Sequence, residues 1–256
     1  MELIDTHCHL TFKQLASDIN GVLERSRAAG VTGWVTVGTD ATHNRKCVEL
    51  ASRFENMYAT VGIHPHDAKD VTEQTLKEIK ELVQREEVVA IGETGLDFHY
   101  NFSPPKVQKD IFIKHLVIAS EYDLPVIVHC REAFEETMNI LSMYGKGIKR
   151  LVFHCFGGSA EQAKIVLEKG FYISFTGVVT FKNASSVREA VMEVPLSCLM
   201  VETDCPYMSP EPMRKQQVNE PALMIHTARF LAELKGTDFD EFCEKVSLTS
   251  RDFFGI

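Results

Sequence analysis

The chain has 256 residues, of which 45% are hydrophobic and 25% charged, a composition typical of a globular protein with one sizeable core. Its net charge of −9 argues against a protein that coats nucleic acid without sequence preference, because such proteins carry a basic surface. An enzyme acting on phosphodiesters is not excluded, since bound divalent cations supply local positive charge. The seven cysteines include no Cys-x-x-Cys pair, so we expect free thiols and a cytoplasmic location.

Short apolar runs alternate with longer amphipathic segments along the whole chain. No run approaches the roughly 18 residues of a membrane span, and the acidic start leads directly into a strand, so neither a membrane anchor nor a secretory signal is expected. Most runs are rich in Val and Ile without apolar–polar alternation, which is typical of a parallel sheet covered on both faces. The predicted strands are 3–8, 33–38, 58–63, 88–92, 125–130, 151–155, 171–175 and 199–202.

Helix-like segments follow these strands, and several end at a glycine such as Gly30 or Gly170. Eight βα units predict an α/β protein, a single (β/α)8 TIM barrel over residues 1–256 with an additional C-terminal helix. A doubly wound open sheet fits the same alternation and is the structural alternative. The predicted helices include 41–54, 107–122, 135–144, 160–169, 221–234 and, beyond the barrel, 238–254.

The first predicted strand ends in Asp5-Thr6-His7-Cys8-His9. Side chains two residues apart point to the same face of a strand, so His7 and His9 project together, as two ligands of one metal ion do. Taken alone, the pair fits two half-buried histidines with ordinary hydrogen bonds equally well, because two imidazoles do not define a metal site.

Several other predicted strands also end in a histidine or a carboxylate. In a (β/α)8 barrel the carboxyl ends of the strands converge on the face that carries the active site, so we expect these side chains to share one cavity. Each alone could simply cap a buried strand, but six nitrogen and oxygen donors together suit one or two divalent ions such as Zn²⁺, Mn²⁺ or Mg²⁺. The candidate ligands are His7, His9, Glu93, His129, His154 and Asp204.

Four cysteines directly follow a candidate ligand in the sequence. Because neighbouring side chains alternate, these cysteines should point away from the cavity and pack as small buried residues, so a zinc–thiolate site is not expected. They are Cys8, Cys130, Cys155 and Cys205.

A second His-x-His, formed by His64 and His66, is interrupted by Pro65, which predicts a loop whose two side chains need not point together. We expect His64 to contact substrate rather than metal. Arg131 is a candidate bidentate partner for a phosphate or carboxylate, and a salt bridge with Glu132 is the structural alternative. The remaining histidines, interpreted as structural, are His43, His99, His115 and His226.

With these residues in view, the chain resembles the TatD family of metal-dependent hydrolases, within the amidohydrolase-like barrel superfamily, over essentially its whole length. Several blocks in the right order are more specific than any single motif. They are Asp5-x-His7-x-His9, Gly62-x-His64-Pro65-His66, Gly92-Glu93-x-Gly95-Leu96-Asp97, His129-x-Arg131-Glu132-Ala133, His154-Cys155-Phe156-x-Gly158, Thr180-Phe181-Lys182-Asn183 and Glu202-Thr203-Asp204-x-Pro206-Tyr207.

The resemblance implies that the six candidate ligands hold the metal, that Glu93 bridges two ions and that Asp204 also acts as general base. It implies Mg²⁺-dependent DNase activity, including removal of nucleotides from 3′ ends, on DNA that is single-stranded or offers a 3′ end. No membrane and no obligate protein partner is expected.

One block departs from the family pattern. The family has Arg-Asn-Glu-Pro before the last barrel helix, whereas residues 218–221 read Val-Asn-Glu-Pro. Val218 therefore replaces an arginine, which bears on a substrate or loop contact. Arg214 and Lys215 are the candidate replacements.

The resulting hypothesis is hydrolysis of a phosphodiester by a metal-activated water, with Asp204 as general base and Glu93 at the metal centre. Arg131 and His64 are expected to stabilise charge on the non-bridging oxygens. A first alternative is an amidohydrolase or esterase acting on an amide, lactone or aminoacyl ester, because fold and metals do not fix the substrate. A non-catalytic metal- or nucleic-acid-binding barrel is the second, and the full ligand set speaks against it.

Overall fold

The computed structural model describes residues 2–256, and over that part of the chain eight strands form one sheet. The strands are β1 (Leu3–Cys8), β2 (Val31–Thr36), β3 (Met57–Val61), β4 (Val88–Asp97), β5 (Val126–Arg131), β6 (Leu151–Phe153), β7 (Tyr172–Phe175) and β8 (Leu199–Val201). They follow one another in chain order, and β1 pairs with β2, β3 to β6 pair in turn, and β7 pairs with β8, all in parallel. Parallel strands in chain order that alternate with helices form a TIM barrel, which confirms the predicted fold.

Ten α-helices lie between residues 2 and 256. They are α1 (Lys13–Ala16), α2 (Ile19–Ala28), α3 (Ala41–Ala51), α4 (Glu73–Leu82), α5 (Pro105–Tyr122), α6 (Phe134–Tyr144), α7 (Ala160–Glu168), α8 (Ser185–Glu193), α9 (Met224–Lys235) and α10 (Phe239–Phe254). Helix α10 is the predicted C-terminal addition. No helix in this stretch of the chain has the length and apolar character that crossing a membrane requires.

Local signals explain where several helices begin and end. The Asp40 side chain accepts hydrogen bonds from two backbone N–H groups in the first turn of α3, and Thr72 and Ser159 form capping boxes at the starts of α4 and α7. Gly30 and Gly170 have positive φ angles of 86° and 75°, the left-handed conformation that ends a helix with least strain in glycine.

Strand β4 differs most from its prediction. The sequence predicted a strand over 88–92, the extent of the apolar run. Instead β4 continues to Asp97, which pairs with Arg131 of β5, and all ten of its residues are buried. Burial on both faces and pairing with β5 outweigh the low strand propensity of Gly92 and Gly95. Glu93 consequently lies within a strand and not at its end.

Contacts divide the chain into two compact units with four strands each. The first unit extends to Thr36, resumes at Cys155 and contains β7, β8, β1 and β2 in that order, with an isolated bridge between Cys8 and Cys205 joining the β1 end of this set to the segment after β8. The second unit, Val37–His154, contains β3 to β6. That residues 1–256 act as one domain stays a prediction.

Candidate metal centre

In the first unit, His7, His9 and Asp204 bring three donor atoms together. His7 belongs to β1, His9 follows it, and Asp204 lies in the loop after β8; all three are buried. The Nε2 atoms of His9 and His7 lie 3.2 and 3.8 Å from the Asp204 carboxylate oxygen Oδ1. The structure thus places His7 and His9 side by side, as the spacing predicted, and adds a carboxylate between them.

The backbone at Asp204 sets the direction of its side chain. Its φ is 53°, in the left-handed region that aspartate tolerates better than most residues. The Asp204 N–H donates to the carbonyl of His7 at 2.9 Å, and its own carbonyl accepts from the N–H of Tyr207 at 3.0 Å. These two hydrogen bonds fix the turn that carries the carboxylate to the histidines.

A buried carboxylate lies behind this group. Asp5 accepts hydrogen bonds from the hydroxyl of Thr203 at 2.6 Å and from its backbone N–H at 2.9 Å. Burial raises the pKa of Asp5 to about 7, because the hydrogen bonds from Thr203 offset the lost hydration only in part. Asp5 therefore ties β1 to the residue directly before Asp204.

Asn219, which sequence reasoning did not select, holds the same turn from the other side. Its Nδ2 donates to the carbonyls of Thr203 at 3.0 Å and Tyr207 at 2.6 Å, and its side chain is fully buried. These carbonyls flank Asp204, so one amide fixes both sides of the catalytic candidate. The only sequence signal for Asn219 was its place in residues 218–221, the block that differs from the family pattern. The spacing did not indicate its hydrogen-bond partners.

Glu220, in the same block as Asn219, and the nearby Arg214 both have side-chain partners in the structure. Glu220 accepts from the guanidinium of Arg25, with distances of 2.9 Å from Nε and 2.8 Å from Nη2. Arg214, a candidate replacement for the family arginine at position 218, lies over the ring of Phe181 at 3.8 Å. The structure thus gives Arg214 an aromatic partner; its predicted role toward substrate stays a prediction.

In the second unit, one carboxylate oxygen of Glu93 is surrounded by three imidazoles. Its Oε1 lies 2.7 Å from His129 Nδ1, 2.8 Å from His154 Nε2 and 3.4 Å from His64 Nε2. Burial by itself raises the pKa of a carboxyl group, but these imidazoles outweigh it and hold the pKa of Glu93 well below its usual range. Burial also lowers the pKa of His64 to about 4. An ionised Glu93 and a neutral His64 are the forms that bind metal.

Asp97 and His66 extend this group, and neither was predicted as a site residue. Asp97 Oδ2 lies 3.1 Å from His129 Nε2 and 2.9 Å from His66 Nε2. Burial opposes ionisation, but these hydrogen bonds lower the pKa of Asp97. A carboxylate on the far nitrogen of a histidine ligand fixes ring orientation and raises basicity. Asp97 is placed to act on His129 in that way.

The expected loop at the second His-x-His is a short 3₁₀ helix, Pro65–Asp70, and its two histidines do lie together. The ring centroids of His64 and His66 are 4.3 Å apart. Proline is compatible with the first turn of a helix, because the missing N–H has no partner there, so Pro65 does not keep the two side chains apart. The His64 Nδ1 accepts from the His66 N–H at 3.1 Å and caps the turn.

His115, interpreted from the sequence as structural, supports the strand end before His64. Its Nε2 accepts from the N–H of Ile63 at 3.1 Å, so its Nδ1 carries the proton and donates to the Ile111 carbonyl at 2.8 Å. The buried ring is thereby locked in one tautomer. It links helix α5 to the residue before His64. His64 belongs to the second cluster, the group of His64, Glu93, His129 and His154.

Arg131 does not occupy the salt bridge that was its structural alternative. Its guanidinium lies over the ring of Tyr100 at 4.7 Å, while Glu132 pairs with His99 Nδ1 at 2.6 Å. Arg131 is an exposed residue, which is compatible with binding an anion. His99 therefore lies in an exposed ion pair with Glu132 and not in the packed core.

Both clusters have the donor chemistry of divalent-metal sites. Two atoms each about 2.1 Å from an ion lie about 3 to 3.5 Å apart at octahedral or tetrahedral angles. The donor atoms of His7, His9 and Asp204 lie within 4.8 Å of one another, and those of His64, Glu93 and His129 do likewise. The residues therefore fit a cation in each cluster. The fit adds His64, expected only as a substrate contact, to the metal-capable set.

The cysteines next to these residues keep to the predicted packing role in two of four cases. Cys8 and Cys205 are buried, and the Cys8 thiol donates to the carbonyl of Val35 at 3.3 Å. Cys130 and Cys155 are partly exposed and approach threonine hydroxyls at 3.5 and 3.3 Å. The two clusters described above consist of imidazoles and carboxylates, and the expectation of no thiolate ligand stays a prediction.

Residues 4–255 match the family described as TatD related DNase. The chain belongs to this family. The metal-dependent hydrolase YabD of Bacillus subtilis, whose name describes it as uncharacterized, is 41% identical to it and covers 99% of both chains. The 3′-5′ ssDNA/RNA exonuclease TatD of Erwinia amylovora is 36% identical over 99% of this chain and 100% of that protein.

The crystal structure of YJJV, a TatD homolog from Escherichia coli, superimposes with a TM-score of 0.94 at 29% identity and covers 99% of this chain and 98% of that one. Fold and family thus agree with the resemblance read from the motifs. The protein is a metal-dependent hydrolase of the TatD family with a TIM-barrel fold.

Proposed function

We propose that this TatD-family protein hydrolyses phosphodiester bonds of single-stranded DNA, removing nucleotides from the 3′ end. The observation that carries the proposal is the buried group of His7, His9 and Asp204, in which a carboxylate oxygen lies 3.2 Å from an imidazole nitrogen. Its donor set suits a divalent ion, and the Erwinia relative named as a 3′-5′ ssDNA/RNA exonuclease supports the choice of bond.

In this proposal, Asp204 is the general base. It accepts the proton of the attacking water through the carboxylate whose position is fixed by the turn at Thr203 and Tyr207. When bound, a divalent cation supplies the positive charge that acidifies water and screens the phosphate. His7 and His9 orient the Asp204 carboxylate and would hold that cation together with it.

The second cluster has a matching assignment. Glu93, kept ionised by the surrounding imidazoles, would hold a second cation with His129 and with either His64 or His154. Arg131 is assigned to the non-bridging phosphate oxygens, where a guanidinium binds in bidentate fashion. That the six predicted ligands share one cavity stays a prediction.

End-labelled oligonucleotides test the bond and the direction. Metal-stripped protein is incubated with single-stranded DNA, duplex DNA or single-stranded RNA labelled at the 5′ or 3′ end, with Mg²⁺, Mn²⁺ or Zn²⁺ added back separately. We expect a ladder of 5′-labelled products shortened from the 3′ end, and mononucleotide release from 3′-labelled substrate. If the folded, metal-loaded protein cleaves only small amides or esters, the nuclease proposal is wrong.

A further inference from the structure

The loop after β4 exposes two aromatic rings. Tyr100 and Phe102 are 48% and 56% exposed, yet they are stacked on each other, with ring centroids 5.3 Å apart and planes inclined by 8°. Two adjacent large aromatic side chains that remain about half exposed to solvent indicate a binding surface. We call these two residues the aromatic pair.

The aromatic pair is continuous with the second cluster. The Phe102 ring lies 4.7 Å from the ring of His66, in an edge-to-face arrangement. From His66 the contacts continue to Glu93. His66 and His129 both contact the carboxylate of Asp97, and His129 in turn contacts Glu93. A molecule on the aromatic pair is therefore adjacent to metal-capable side chains.

Hydrogen bonds hold the loop in place. Asp97 Oδ1 accepts from the N–H of Tyr100 at 3.0 Å, and the Ser103 hydroxyl donates to the carbonyl of His66 at 2.7 Å while accepting from the N–H of Lys69 at 3.0 Å. Ser103 is fully buried directly beside the exposed Phe102. The rings are thus presented by a fixed backbone, which reduces the entropy lost on binding.

A positive charge accompanies the aromatic pair. The guanidinium of Arg131 lies over the face of Tyr100 at 4.7 Å. Flat apolar rings beside a cation match a nucleotide, whose base stacks on aromatic faces while its phosphate pairs with arginine. A paired base has its faces covered by its neighbours in the duplex, so the match is to an unpaired one.

We propose that Tyr100 and Phe102 form a stacking platform for an unpaired base of single-stranded nucleic acid, with Arg131 at its phosphate. The inference rests on the proposed function and specifies its substrate: a strand with free bases, read without sequence preference, since every base has a π face. The aromatic pair acts by binding and takes no part in proton transfer.

Binding without hydrolysis tests the platform. Fluorescence anisotropy of a 5′-fluorescein single-stranded oligonucleotide is measured in EDTA, for the wild type and for Phe102→Ala, Phe102→Leu and Tyr100→Ala. Stacking on one base corresponds to roughly 5- to 150-fold in affinity, so we expect each alanine variant to bind at least about 5-fold more weakly. Phe102→Leu keeps apolar bulk but loses the ring and should resemble Phe102→Ala.

Two controls make the result specific. Tyr144→Ala removes a similarly exposed ring, 47% exposed at the end of α6, and should bind like the wild type. An oligonucleotide with abasic 3′-terminal nucleotides should weaken wild-type binding by the same factor, with no further loss in Phe102→Ala. Three outcomes would overturn the platform. They are a Phe102→Ala variant that binds the intact and the abasic oligonucleotide more weakly by the same factor, unchanged binding in all variants, and concentration-dependent self-association through this surface.

The two proposals can fail separately. Metal-dependent cleavage of single-stranded DNA with unchanged binding by the platform variants removes the platform and leaves the nuclease. Ring-dependent, base-dependent binding without cleavage by any metal leaves the platform and removes the nuclease. Thermal unfolding of each variant confirms that the fold is retained, which is expected because both rings are exposed.

Discussion

Thr203 donates two hydrogen bonds to the buried carboxylate of Asp5, one from its hydroxyl at 2.6 Å and one from its backbone N–H at 2.9 Å. The pair joins β1, two residues before His7, to the residue directly before Asp204. Asp5, which opens the Asp-x-His-x-His motif, is therefore a positioning residue. It holds together the two segments that supply the first cluster, the group of His7, His9 and Asp204.

Removal of the Thr203 hydroxyl should weaken metal binding at this cluster. Thr203→Val keeps the shape of the side chain but leaves one oxygen of Asp5 without its donor, which costs about 1–3 kcal/mol of folding free energy. Metal affinity measured by titration calorimetry with Mn²⁺ should fall about 10- to 100-fold, as for other groups that orient ligands. Thr203→Ser restores the hydroxyl and serves as the control. Wild-type affinity in Thr203→Val would show that Asp5 plays no part in positioning.

Asn219 should act on turnover through the turn at Asp204. Asn219→Ala removes the donor to the carbonyls of Thr203 and Tyr207, so the carboxylate loses its fixed direction. We expect kcat to fall at least about 10-fold with a smaller change in KM, because misplaced catalytic groups mainly affect the transition state. Gln216→Ala, which removes a side-chain amide bonded to the Val218 carbonyl in the same loop, should retain kcat.

Much of the fold and part of the site followed from sequence periodicity. His7 and His9 share a face because strand side chains repeat every two residues, and the structure places their rings 5.0 Å apart. The partners of Asp97 and Asn219 were not predictable in the same way. Each bonds to groups that come together only through tertiary packing, such as His66, which lies 31 positions from Asp97. The apolar run 88–92 likewise gave the wrong end for β4, because the residues after it are also buried and pair with β5 as far as Asp97.

Gly95 should tolerate no side chain. A Cβ at this position would lie 2.0 Å from the carbonyl oxygen of His129, and its φ of 138° is itself strained for other residues. Gly95→Ala should therefore destabilise the protein by at least about 2 kcal/mol and disturb His129. Gly157→Ala is the matched control, because nothing lies within 4 Å of an added Cβ there. Denaturant unfolding compares the two, and equal stability would contradict the close approach of β4 and β5.

His115 should make stability depend on pH. Burial lowers the pKa of His115 to about 4, which the hydrogen bond to the Ile111 carbonyl offsets only in part. Between about pH 6.5 and 4 the unfolded chain binds a proton at this residue and the folded chain does not. The contribution of His115 to stability is therefore greatest above pH 6.5 and falls as the pH drops through this window, by up to roughly 3 kcal/mol.

Denaturant unfolding from pH 7 to 4.5 measures this effect. His115→Gln removes the titrating group, so its stability should be lower at pH 7 but decline less steeply toward pH 4.5. Parallel pH profiles for the variant and the wild type would show that His115 does not titrate as its burial requires.

The most direct measurement is the rate of single-stranded DNA cleavage by Asp204→Asn under saturating Mg²⁺, with bound metal determined in the same samples. Asparagine keeps the size of the side chain and tolerates the left-handed φ of 53° at this position, so the fold should be unaffected. Asp110→Asn, on the exposed surface of α5, is the matched control. We predict at least about a 100-fold slower rate for Asp204→Asn and an unchanged rate for Asp110→Asn. Wild-type cleavage by folded Asp204→Asn would contradict the assignment of catalysis to the cluster of His7, His9 and Asp204.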